Sequence, residues 1–215
     1  MKVKTSSVLA LVSLSYFFFY RGIGTIWPYL FQHLNMARVF LLLAFLATFG
    51  WLLFFVTFFS WVERKELKSL LRPTGWAIFG SACISFLYFR EVLRVFDIDF
   101  LGEIIFSSRM EQLIPFLPLL AATLILIFFI ALSGQELNWG PRLKKAVKFG
   151  LGGAIASFIP PLAVAINFLL TREEQWFSAL IPKGFLLVGG MIIIVISFLG
   201  QGFFLFSLAQ AEEFD

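Results

Sequence analysis

The amino-acid sequence predicts an all-α integral membrane protein with six transmembrane helices, in a single domain that covers residues 1 to 215. Hydrophobic residues make up 60% of the chain and charged residues 14%, whereas soluble domains are about half apolar and a quarter charged. The mean hydropathy of +0.92 agrees with this difference. Because no soluble fold of this length hides so much apolar surface, we expect a lipid bilayer to be the main solvent.

The first apolar segment, 5 to 20, follows a basic start at Lys2 and Lys4, as in a secretory signal. Its end carries the bulky sequence FFFY (17 to 20), where a signal peptidase needs small residues. We therefore expect this segment to be retained as the first span.

Five further apolar segments are long enough to cross about 30 Å of hydrocarbon. They lie at roughly 38 to 61, 73 to 89, 113 to 133, 147 to 170 and 184 to 209. The first and third of the six segments are short and can extend into their flanks.

Two adjacent prolines interrupt the fifth segment, which reads GLGGAIASFIPPLAVAINFLL from 150 to 170. Neither proline can donate a backbone hydrogen bond, which excludes the interior of a sheet. In a membrane helix, Pro160 and Pro161 free the carbonyls one turn earlier, and the nearby Ser157 hydroxyl is placed to serve them. The pattern predicts one kinked helix rather than two separate half-helices.

The distribution of lysine predicts the orientation of the chain. Segments 63 to 72 and 134 to 148, together with Lys2 and Lys4, hold every lysine except Lys183. Because lysine and arginine mark the cytoplasmic side, we expect both termini in the cytoplasm and the chain in a cell (inner or plasma) membrane. The net charge of +4 follows from this orientation and gives no reason to invoke nucleic acid.

The opposite side of the membrane is expected to carry two short interfacial helices. The segment 90 to 112 places apolar residues at helical spacing, with charged residues away from that stripe. Thr171 and Glu174 have the spacing of a capping box before a second such stretch.

A weak internal repeat relates GSACISF (80 to 86) to GGAIASF (152 to 158), and the same offset leads back to Ala10 and Ser13. This spacing predicts three helical hairpins stacked around a common axis. The alternative is that small residues recur in membrane helices for packing alone.

Small residues four positions apart let membrane helices approach closely, and we expect the third and fifth spans to contact each other or a partner through them.

The neutral polar residues of the spans are Thr48, Thr123, Ser157, Asn167, Ser197 and Gln201. Gln201 and Asn167 are interpreted as structural hydrogen-bonding groups, with a ligand site as the alternative. The candidates for helix packing or polar contact are Ala77, Ser81, Ser85, Gly150, Gly153, Ala154, Ser157, Pro160, Pro161, Asn167 and Gln201.

The sequence contains no catalytic or cofactor-binding motif that we can identify. The single histidine, His33, and the single cysteine, Cys83, cannot build a histidine-rich metal site or a disulfide. We therefore predict no cofactor, no metal and no catalytic residue. Asp97, Asp99 and Glu103 form a weak acidic cluster, which we interpret as hydrated interfacial charge rather than metal ligands.

Three functions are compatible with these observations. The leading hypothesis is a noncatalytic, membrane-embedded subunit or accessory protein of a larger membrane complex, because no ionisable residue lies near the middle of a span. The alternative is a small permease or transporter component, which works as an oligomer or with a separate ATPase. The third is an enzyme acting on a lipid-linked substrate through the acidic cluster. The fold alone does not choose between them.

Overall fold

A computed structural model describes residues 2–26, 34–96, 113–135, 139–171, 183–211 and 214. These residues form six α-helices, one 3₁₀ turn (Ile114–Phe116) and no strand, which confirms the all-α prediction. The helices are α1 (Val3–Ile26), α2 (Leu34–Arg64), α3 (Lys68–Val95), α4 (Leu117–Ser133), α5 (Pro141–Thr171) and α6 (Lys183–Gln210).

Five of these helices, all except α4, are long and apolar enough to cross a membrane. Helix α4 has 17 residues and follows the 3₁₀ turn directly. Their outward faces are apolar, as expected of a multi-pass membrane protein in contact with lipid. Exposed side chains on the six helices include Val12, Leu46, Phe79, Ile130, Ile155 and Leu199.

The helices extend beyond the apolar segments that predict them. Helix α3, for example, covers Lys68–Val95, although its apolar segment covers only 73 to 89. Helix α5 is continuous from Pro141 to Thr171, as expected of a single helix that tolerates Pro160 and Pro161. The predicted interfacial helices fall mainly in 97–112 and 172–182, outside the described residues.

The six helices close into a ring. Each helix packs against the next one in chain order, and α6 also packs against α1. Helix α4 therefore lies between α3 and α5. The small-residue ridges that were expected to contact each other or a partner lie on these two helices.

Within each hairpin of consecutive helices, a glycine marks the closest approach. A Cβ atom added to Gly80 of α3 would lie 3.0 Å from the Ala121 carbonyl oxygen of α4. One added to Gly200 of α6 would lie 2.8 Å from the Gly153 Cα of α5, and one added to Gly50 of α2 would lie 2.8 Å from a carbonyl oxygen of α1. Helices in lipid associate through such close contact, because the hydrophobic effect does not drive them together.

One end of the ring, called here the terminal end, is where α1 begins and α6 ends; the opposite end is the loop end. Toward the terminal end, the interior of the ring is filled by an aromatic plug, which consists of Phe54, Phe55, Phe58, Phe128, Phe129 and Phe204. All six side chains are fully buried, and neighbouring ring centroids lie 5.0 to 6.2 Å apart. The plug joins α2, α4 and α6.

Candidate binding cavity

Between the aromatic plug and the loop end, the ring encloses a cavity of about 480 Å³. All six helices contribute to its wall. One lining residue from each helix is Leu14, Trp51, Leu87, Ile125, Val164 and Phe198. A volume of this size lies within the range of about 300 to 1,000 Å³ that is typical of small-molecule sites.

The wall of the cavity is largely apolar. Its polar side chains are Thr48, Ser81, Tyr88, Ser157, Ser197 and Gln201, and within the described part of the chain no Asp, Glu, Lys or Arg lines it. Five polar residues that the sequence singled out are thus brought to one cavity from four different helices: Thr48, Ser81, Ser157, Ser197 and Gln201.

Three of these side chains form a hydrogen-bonded cluster between α5 and α6, called here the polar cluster: Ser157, Ser197 and Gln201. The Ser157 hydroxyl donates to the Gly153 carbonyl oxygen at 2.9 Å. Because that uses its single proton, the Ser157 oxygen accepts from the Ser197 hydroxyl and from Gln201 Nε2, the latter at 2.7 Å. Gln201 Oε1 then has no hydrogen-bond partner among the described residues.

This geometry differs from the expectation that the Ser157 hydroxyl serves the carbonyls freed by the double proline. The hydroxyl bonds instead to the carbonyl four residues before it. Serine in a helix readily makes this local bond. Pro160 and Pro161 themselves line the cavity one turn toward the loop end.

Glycines on both helices make the polar cluster possible. A Cβ atom added to Gly153 would lie 2.8 Å from the Gln201 backbone nitrogen and 2.9 Å from the Ser197 carbonyl oxygen. Without side chains at Gly153 and Gly200, the two backbones approach closely enough for short polar side chains to reach each other.

Ser81 lies across the cavity from the polar cluster, because α3 is opposite α6 in the ring. Its side chain is only 1% exposed, and its hydroxyl has no hydrogen-bond partner within the described segments. The Ser81 backbone carbonyl accepts a bond from the Ser85 hydroxyl at 3.1 Å. A buried hydroxyl without a partner costs about 1 to 3 kcal/mol.

The other predicted packing residues lie in the ring wall. Ala77 and Ser85 are buried on α3, and Ala154 lines the cavity. A Cβ atom added to Gly150 would lie 2.6 Å from the Phe129 ring, so this glycine makes room for the aromatic plug.

Four predicted residues cannot be assigned a position at the site. Asn167 lies in α5, but its side chain is outside the described set. Asp97, Asp99 and Glu103 fall in the segment 97–112, which is also outside it. The acidic cluster and the enzyme hypothesis that depends on it therefore stay predictions.

The aromatic plug is the feature that sequence reasoning missed. Runs such as FFVTFF (54 to 59) are apolar all round, and their composition does not distinguish lipid-facing from buried rings. No sequence signal identified these rings as buried: Phe54, Phe128 and Phe204 lie 74 and 76 residues apart and do not follow the 72-residue offset of the weak repeat.

The chain matches no protein-family model, and it has no match among curated proteins or solved structures.

Proposed function

We propose that this protein is a small permease, or the membrane component of one, which takes up a small molecule in the central cavity of its helical ring. The observation that carries this proposal is the cavity lined by all six helices, with the aromatic plug between it and the terminal end. Transporters hold their substrate near the middle of the membrane and expose the site to one side at a time.

The proposal includes six spans. At about 1.5 Å per residue, the 17 residues of α4 cover about 25 Å, and the preceding 3₁₀ turn adds about 6 Å. This length suffices for the roughly 30 Å of a bilayer core.

The proposal also includes three repeated hairpins around the cavity axis. Supporting it, Ser13, Ser85 and Ser157 lie 72 residues apart in α1, α3 and α5, and each makes the bond to the carbonyl four residues before it that other serines and threonines of these helices also make. The aromatic plug, in turn, comes from α2, α4 and α6 alone. Internal repeats around an axis normal to the membrane are common in transporters, with the substrate site at their interface.

With both termini in the cytoplasm, as the lysines predict, the aromatic plug lies on the cytoplasmic side of the cavity. Passage to the cytoplasm then requires the plug to separate.

A complex subunit is the second candidate, because an exposed glycine lies on the outer face of α5. A Cβ atom added to Gly152 would meet nothing within 4 Å, and Ile155 and Ile159 on the same face are exposed. Small residues on a lipid-facing surface allow a helix of another protein to pack closely against it.

Cysteine accessibility separates the two functions. In a Cys83→Ser background, Ala122→Cys introduces a thiol on the cavity wall, and Leu199→Cys introduces one on the lipid-facing surface as a control. The proteins are placed in liposomes in a single orientation, selected through a terminal tag. A permease that changes its access should let an impermeant thiol reagent reach Ala122→Cys from either side, while Leu199→Cys stays unreactive.

The contrary result is reaction of Ala122→Cys from the loop side alone. Together with a stoichiometric partner that copurifies from native membranes in mild detergent, this would replace the permease with the subunit function. Gly152→Leu should then release the partner, whereas it should leave a permease unchanged.

A further inference from the structure

We infer that the cavity binds an uncharged amphipathic molecule with one hydroxyl-type head, such as a lipid alcohol or a phenol, and that the head enters first. This inference rests on the proposed function, since it names the substrate class of the same cavity.

The first step concerns the hydrogen bonds that the protein leaves unmade. Gln201 is 6% exposed, and its Oε1 is an acceptor without a partner in the described structure. The Ser81 hydroxyl, 1% exposed, also lacks a partner there, but it is buried too deeply for an occupant of the cavity to reach. An occupant can therefore satisfy Gln201 by donating a hydrogen bond to its Oε1. A hydroxyl group can donate that bond, whereas an ether or ester oxygen only accepts.

The second step concerns charge. Within the described chain, no side chain that lines the cavity carries a formal charge near neutral pH. Moving an ion from water into such surroundings without a counter-charge is strongly unfavourable. Carboxylates, phosphates and ammonium groups are therefore excluded as heads.

The third step concerns the body of the molecule. Phe18 and Phe198 stack with their ring centroids 4.4 Å apart, and Trp51 and Phe17 also line the wall. These flat apolar surfaces bind hydrocarbon through dispersion and offer it no hydrogen bonds.

The fourth step concerns direction. Helix α6 runs toward the terminal end, and Gln201 is the last of its residues on the cavity wall; α3 runs the other way, and Ser81 is its first. Both unpartnered groups consequently lie at the floor of the cavity, directly above the aromatic plug. The head must reach this floor, while the apolar body extends toward the loop end past Leu87 and Val164.

The test measures binding of four probes with the same twelve-carbon chain: dodecanol, its methyl ether, dodecanoate and dodecylammonium. The full chain is held in phosphatidylcholine nanodiscs, because that lipid has no hydrogen-bond donor to compete. Radiolabelled dodecanol reports direct binding, and the other probes compete against it. We expect dodecanol to bind about ten-fold more tightly than the ether, which leaves Gln201 without a donor, and the two ions not to compete.

Substitutions test whether the preference for dodecanol over its ether arises at the floor of the cavity. Gln201→Leu should reduce the preference for dodecanol over the ether to about two-fold, whereas Gln210→Leu, on the exposed end of the same helix, should leave it unchanged. Should Gln201→Leu fail to fold, Gln201→Met serves instead, because it keeps the length of the side chain and removes the amide acceptor. It should reduce the preference for dodecanol over the ether in the same way.

Equal binding of all four heads, or preferred binding of either ion, would overturn the inference. This failure is distinct from failure of the permease, which depends on two-sided labelling of Ala122→Cys. Head-specific binding together with labelling of Ala122→Cys from one side only would support the ligand class and reject transport. Labelling of Ala122→Cys from both sides without head preference would support transport and reject the ligand class.

Discussion

The contact between α5 and α6 makes a sharp prediction, because two adjacent glycines on α5 have opposite surroundings. At Gly153, an alanine Cβ would lie 2.8 Å from the Gln201 backbone nitrogen, whereas at Gly152 it would meet nothing within 4 Å. Gly153→Ala should therefore destabilise the protein relative to Gly152→Ala, although the two changes are chemically identical.

The size of the difference follows from two contributions. Alanine is favoured over glycine in a helix by about 0.8 to 1.0 kcal/mol, and this gain is common to both variants. Only Gly153→Ala also forces the backbones apart, since ordinary van der Waals contact begins near 3.4 Å and the atom it meets cannot rotate away. Such overpacking costs about 1 to 3 kcal/mol, so the two variants should differ by that amount.

The assay uses the single cysteine of the chain. Cys83 lies within α3, and a thiol-reactive dye reports its exposure as the purified protein is heated in detergent. At about 2 to 4 °C per kcal/mol, Gly153→Ala should unfold several degrees below Gly152→Ala. It should also weaken the bond from Gln201 to Ser157 and with it the discrimination between alcohol and ether. Equal midpoints for both variants would refute the close packing of α5 on α6.

Three further predictions concern other parts of the ring. Phe204→Ala removes a fully buried ring from the aromatic plug and should cost about 3 to 5 kcal/mol in the same assay, whereas Phe79→Ala, on the exposed face of α3, should change stability by less than about 0.5 kcal/mol. Glu66 has a φ of 54° in the turn that ends α2, so Glu66→Gly should stabilise the protein by about 0.5 to 1 kcal/mol; a loss of stability would show that the Glu66 side chain matters more than its backbone strain. In a Cys83→Ser background, Lys68→Cys should resist an impermeant thiol reagent in intact cells, and rapid labelling would reverse the predicted orientation.

The existence and order of the helices could be predicted from the sequence, because a run of about twenty apolar residues has few alternatives in water or in lipid. Their ends could not. Pro73 marks the start of the third apolar segment, yet α3 begins at Lys68. Pro73 is the sixth residue of α3, where it removes one backbone hydrogen bond, to the Ser69 carbonyl oxygen, and the helix continues past it and past the point where hydropathy falls.

The site was predicted only in part, for a related reason. Gln201 and Ser157 could be singled out because an amide or a hydroxyl in hydrocarbon needs a partner. Their pairing with each other depends on which helices are neighbours. Helices that are apolar on every side carry no periodicity that distinguishes the cavity from the lipid. The aromatic plug was missed for the same reason.

The position of the double proline relative to the polar cluster bears on how the cavity opens. Gly153 and Ser157 hold α5 to α6 at the floor of the cavity, and Pro160 and Pro161 follow within one turn toward the loop end. Two missing backbone hydrogen bonds make this the point at which α5 bends most easily. The loop-end half of α5 can therefore move without disturbing the groups that bind the head of a ligand. Opening toward the terminal end needs a different motion, because the rings of the aromatic plug come from α2, α4 and α6, and α5 contacts them through its backbone at Gly150. Within the proposed permease, the loop-end gate is thus the second half of α5, and the terminal-end gate is the aromatic plug. A substrate would stay bound at the floor between them while one gate closes and the other opens.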